Sequence, residues 1–113
     1  GYLEVQKIDL FHMQQYAYVL KRMKEIKESD GSSMLDNSLV TYGAALGDGS
    51  THQYYDLPMI VAGRGQGQVN QGRFIQCKSG TLNSNLWLSV AKLMGLEIES
   101  FADSTGLISD MWA

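Results

Sequence analysis

The run Leu57-Pro58-Met59-Ile60-Val61-Ala62 constrains the fold of this chain more than any other stretch. It is apolar without alternation, the pattern expected of a strand buried on both faces rather than one that wets one side. Pro58 fits only near the strand's start, where no ladder donor is needed. A second short β-type segment, Ser38-Leu39-Val40-Thr41-Tyr42, precedes it and is rich in β-branched and aromatic residues. The residues between the two carry no helical period, although their number would permit a parallel crossover.

Helical periodicity occurs on either side. Ile8, Phe11, Tyr16, Val19, Leu20, Met23 and Ile26 recur at steps of three and four, which predicts a helix over about Asp9 to Glu28 with one buried stripe. Asp9 is placed to cap its start, and Ser29-Asp30-Gly31-Ser32-Ser33 supplies turn chemistry at its end. Gly1 is assigned no structural role. A second helix is predicted from about Leu82 to Met94, with Leu82, Leu86, Val90, Leu93 and Met94 as its stripe. Ser79, Thr81 and Ser84 are its N-cap candidates, and Gly95 stands where a left-handed C-terminal cap belongs. Arg73–Cys77 and Leu96–Phe101 read as further short strands, and the last dozen residues as irregular.

The expected architecture is therefore a single α/β domain over 1–113: a small sheet of three to four strands with two main helices. Two helices hardly cover both faces of a doubly apolar sheet. The chain is accordingly expected to form a homo-oligomer, or to pack against a missing part of its own full-length chain.

Composition narrows the partners. With 44% hydrophobic residues the chain is globular, and its net charge of −3 offers no footprint for nucleic acid or an anionic membrane. No apolar run approaches the ~20 residues of a spanning helix. Cys77 is the only cysteine, so no internal disulfide forms, and no histidine beside it marks a nucleophile.

The residues with most chemistry lie in the loop Gly43–Asp56. It leaves the end of a strand, where open α/β sheets place ligands. Asp48, His52 and Asp56 provide the oxygen and nitrogen donors that zinc or manganese takes. The alternative is a solvated loop in which Asp48 closes an Asx-type turn. Arg64 and Arg73 are the candidate anion binders. Gly63-Arg64-Gly65 begins like a dinucleotide fingerprint, but Gln68 replaces the third glycine and no helix opens there, so a tight turn is the better account. His12, beside the first apolar stripe, is either a hydrogen-bonded boundary residue or a partner for His52. Tyr54, Tyr55, Trp87 and Trp112 are expected to anchor core or interface.

Several segments together resemble a known family. They are Phe11-His12-Met13-Gln14-Gln15-Tyr16-Ala17-Tyr18; Leu35 through Gly43 with Gly47-Asp48-Gly49 and His52; Leu57-Pro58 through Ala62-Gly63; Gly72-Arg73; and Ser100-Phe101-Ala102-Asp103-Ser104-Thr105-Gly106. From about Ile8 to Leu107 the chain resembles the C-terminal portion of the bacterial domain-of-unknown-function family named for an HXXSHH motif. That family is similar to the alkaline phosphatase and sulfatase superfamily. The resemblance implies a three-layer sandwich fold, a longer parent protein with a twin-arginine export signal, and a periplasmic or otherwise exported location. It also raises a part in phosphate or sulfate ester hydrolysis, with the nucleophile and most metal ligands upstream. Superfamily enzymes place a metal-binding Asp-His pair after the strand matching Ser38–Tyr42. Here Gly43-Ala44 stands in that place, so no catalytic residue is assigned and a non-catalytic subdomain or an interaction module is the expectation.

Overall fold

The computed structural model describes all residues, 1–113. Its elements are helix α1 (Tyr2–Glu25), strands β1 (Val40–Gly43) and β2 (Met59–Ala62), helix α2 (Asn83–Leu93) and a closing 3-10 turn at Ser109–Met111. The chain is an α/β protein with two helices and one two-stranded sheet. It divides into two compact units, one made of residues 1–35 and 40–62, the other of 36–39 and 63–113.

In the first unit, α1 starts seven residues earlier than its periodicity predicts, so Asp9 is interior and caps nothing. Residues 2–8 contain no glycine or proline to stop a helix, and Glu4 complements the positive end of its dipole. Gly1 caps the start after all, and its amino group pairs with Glu4 Oε2 at 2.7 Å. That amine, then a backbone hydrogen bond, holds the Glu4 carboxyl below its ordinary value. The helix also ends early. Ile26 turns extended, Lys27 bridges Ser33, and the Glu28 and Ser32 backbones join through a reversal at Gly31, whose φ is +87°.

No residue of α1 is buried. Of the predicted stripe, Tyr16, Leu20 and Met23 are half-buried, whereas Ile8, Phe11, Val19 and Ile26 are exposed. Spacing defines a face; whether anything packs on that face is a tertiary matter.

β1 and β2 pair antiparallel, with Val40 opposite Ala62 and Gly43 opposite Met59. The expected third and fourth strands are absent: 73–77 and 96–101 join no ladder, and Phe74 is 91% exposed. The intervening loop reverses direction through its own small hairpin, so a parallel crossover gives way to a return. Nor is β2 buried on both faces. Ile60 is exposed, and Met59, Val61 and Ala62 are half-buried.

The second unit holds the apolar core, made of Val69, Leu86, Leu88, Leu93 and Met111. Leu86 and Leu93 belong to the predicted stripe. Leu88 joins them, while Met94 is half exposed. Leu82 precedes the first turn of α2 without a side-chain cap. None of the three predicted caps is used, and Ser84 lies inside the helix with its hydroxyl buried and unpartnered. At the other end Gly95, at φ +86°, forms a Schellman cap. Its N–H bonds Lys92 O, and the N–H of Leu96 bonds Ala91 O.

The last residues, though irregular, are tied down. Asn85 on α2 donates from Nδ2 to Thr105 Oγ1 and accepts the Thr105 N–H at Oδ1. Ser89 Oγ donates to Asn85 O and accepts the Ile108 N–H. Val69 bridges Trp112, and Ala113 N–H bonds Gln68 O.

Candidate functional site

The loop 43–56 is shaped by short-range backbone bonds. Gly47 N–H donates to Gln53 O at 2.7 Å, and Gln53 N–H donates to Asp48 O at 3.0 Å. A Cβ at Gly47 would lie 2.4 Å from Tyr55 O, so only glycine fits that corner. Asp48 closes the turn. Its Oδ1 accepts the Ser50 N–H at 2.9 Å and its Oδ2 accepts the Thr51 hydroxyl at 2.8 Å. The Thr51 hydroxyl, then the Ser50 amide, holds the Asp48 carboxyl below its ordinary value. This is the Asx-type turn that the composition offers as one reading.

His52 and Asp56 both sit at φ +54°, a left-handed conformation uncommon outside glycine, and both are exposed. Each therefore points its side chain from a locally constrained backbone. No group of three or more His, Cys, Asp or Glu side chains stands close enough together to hold a metal ion. Asp48 also has both carboxylate oxygens engaged within its own turn.

The other predicted residues are placed as follows. His12 is exposed on α1, with its ring edge-on to Phe11 at 5.7 Å between centroids. Arg64 is exposed, and its carbonyl accepts the N–H groups of Gly67 and Val69 in the glycine turn. In that turn Gly63, Gly65 and Gly67 all take positive φ, as expected of a tight reversal. Arg73 Nη1 donates to Asp110 O at 3.1 Å. Cys77 is exposed and free. Tyr54 and Tyr55 are exposed rather than core.

Two features escaped sequence reasoning. Asn85 and Ser89, polar residues four apart within an apolar helix, form the clasp on Thr105 and Ile108; their spacing was the available signal. The other is the exposed apolar surface of α1, which periodicity alone reads as a buried stripe. Tyr2, Leu3, Val5, Ile8, Leu10 and Phe11 are each more than half exposed. No helix of the structure is long and apolar enough to cross a membrane.

Comparison with family models, with curated proteins and with solved structures returned no match to this chain.

Proposed function

We propose that this chain is a non-catalytic α/β subdomain that works as a protein-interaction module, with α1 as its contact element. One observation carries the reading: α1 displays large apolar side chains along its length and buries none of them. Apolar surface of that extent on a soluble domain marks a place where protein packs. The motif resemblance supports a parent protein of the HXXSHH family, exported in bacteria. In that setting the subdomain belongs to the C-terminal part of an alkaline-phosphatase-like sandwich, whose larger sheet would supply the strands missing here. Replacing exposed Leu10 by Glu is expected to abolish binding of an apolar dye to the chain while leaving its helical circular dichroism intact. Undiminished dye binding by that variant would refute the reading.

A second reading is favoured by the paired left-handed residues His52 and Asp56, because constrained backbone clusters at functional loops. Here the loop would contribute ligands to a zinc- or manganese-dependent hydrolase of phosphate or sulfate esters, with the nucleophile supplied from elsewhere. Elemental analysis discriminates. Stoichiometric zinc or manganese, lost in His52→Ala, would put metal on the loop as this reading requires; a metal content unchanged by His52→Ala would remove the loop from it.

A further inference from the structure

We propose that Asp48 is a covalent modification site, where the carboxyl closes on the Gly49 amide and converts the Asp48–Gly49 link to an isoaspartyl one. The fold restrains the same reaction at the other Asp-Gly pair, Asp30–Gly31.

The chain supplies its own matched comparison. Ser29-Asp30-Gly31-Ser32 and Gly47-Asp48-Gly49-Ser50 differ only in the residue before the aspartate. In each, the glycine amide is unhindered by a Cβ, as attack on the preceding side chain requires. Both aspartates and both glycines are exposed. The carboxylates are held alike as well. Asp30 Oδ1 accepts the Ser32 N–H at 2.9 Å and the Ser32 hydroxyl at 2.5 Å. Asp48 accepts the Ser50 N–H at 2.9 Å and the Thr51 hydroxyl at 2.8 Å.

The two glycine amides are not alike. Gly31 N–H donates to Glu28 O at 3.0 Å, in a reversal also closed by Glu28 N–H on Ser32 O at 2.9 Å. Its nitrogen reaches the Asp30 carboxyl only after that reversal opens. The Gly49 N–H has no acceptor, although Gly47, Ser50 and Gln53 around it all donate. The space about Gly49 is open, with no atom within 4 Å of where a Cβ would stand. The Gly49 nitrogen is therefore free to turn onto Asp48 Cγ.

The step balances without a co-reactant. The Gly49 nitrogen bonds to Asp48 Cγ, and the carboxyl OH leaves with the amide proton as water. The succinimide so formed takes water back. Cleavage between Cγ and the nitrogen restores aspartate. Cleavage between the main-chain carbonyl carbon and the nitrogen leaves the chain running through Cβ and Cγ, with the former carbonyl as a free carboxylate. The Asp48 carbonyl that accepts Gln53 N–H, and the carboxylate that accepts Ser50 and Thr51, are then displaced together. Isomerisation thus unfastens the turn that carries His52.

The test ages the 113-residue chain at neutral pH, folded and in urea. An isoaspartyl carboxyl methyltransferase reads the product, moving methyl from the sulfonium of S-adenosylmethionine to the new carboxylate oxygen and leaving the thioether. Peptide fragmentation by electron transfer locates it. In urea the two sites are expected to react at similar rates. In the folded chain residue 48 should react at least several-fold faster than residue 30. Gly49→Ala, which the open space accommodates, should slow residue 48 several-fold and leave residue 30 unchanged. A folded chain that reacts at residue 30 as fast as at 48, or not at all at 48, overturns the proposal. So does an advantage of residue 48 that urea does not erase, or a Gly49→Ala variant that reacts as the wild type does.

Discussion

The Tyr16 hydroxyl on α1 donates to the Val40 carbonyl oxygen of β1 at 2.8 Å, and its ring lies 5.2 Å from that of Tyr42. This pair of contacts fastens the long helix to the hairpin in a unit where α1 buries nothing. Tyr16→Phe keeps the ring contact and removes the bond. It is expected to cost about 0.5–1.5 kcal/mol by urea unfolding.

The same phenol provides a pH test. Burial, partly offset by a backbone hydrogen bond from Ala62, raises the Tyr16 pKa above its ordinary value of 10.0. A raised pKa favours the protonated folded state, so its contribution is complete below pH 10 and disappears as pH rises through the higher folded value. Alkaline destabilisation above pH 10 should be steeper in the wild type than in Tyr16→Phe. Parallel pH–stability curves for the two proteins would contradict the assignment.

Ser84 and Ser89 stand five residues apart on α2, both buried, and predict opposite outcomes. The Ser84 hydroxyl has no partner, so Ser84→Ala removes an uncompensated polar group and should be neutral or stabilising by up to about 1 kcal/mol. Ser89→Ala deletes the bonds to Asn85 O and Ile108 N and leaves that amide unpaired, a loss of about 1–3 kcal/mol. Thermal denaturation of the two variants side by side checks the contrast.

Gly47→Ala drives a Cβ against the Tyr55 carbonyl, a backbone atom that has no rotamer by which to give way. We expect a destabilisation of about 1–3 kcal/mol and broadened amide signals over residues 47–53. Gly49→Ala, with open space at its Cβ, serves as the control and should leave those signals sharp.

Asp48 titrates in the other direction. Its pKa is depressed below the ordinary 3.8, so the turn it closes is intact above pH 3.8 and loosens as pH falls through the lower folded value. Amide exchange at Ser50 should accelerate over that acid range, and Asp48→Ala should show the fast rate already at neutral pH. A Ser50 amide equally protected in both proteins would show that the carboxylate does not hold the turn.

How much was legible in the sequence depended on the range of the interaction involved. The Gly95 cap, the Asp30–Gly31 reversal, the glycine turn at 63–67 and the Asx turn at Asp48 were all readable, because each is closed by bonds spanning a few residues. α2 was readable within a residue or so at each end for the same reason. Strand number and direction were not. Arg73–Cys77 has the composition of a strand but finds no ladder, and the loop after β1 turns back where its length equally allowed a crossover. For the candidate site, residue types, loop position and the turn at Asp48 came from the sequence, whereas the left-handed backbone of His52 and Asp56 did not.

The chain's local order alone thus determined two helices, two short β segments and a constrained polar loop between them, since propensity, turn chemistry and capping act over neighbouring residues. Only the tertiary structure decided which apolar faces are covered. The same three-and-four spacing yields a buried Leu86–Leu93 stripe on α2 and an exposed Leu3–Leu10 face on α1. Burial depends on what distant segments are folded against a face: Val69 and Met111 join α2's leucines in a buried core, while α1 buries none of its residues.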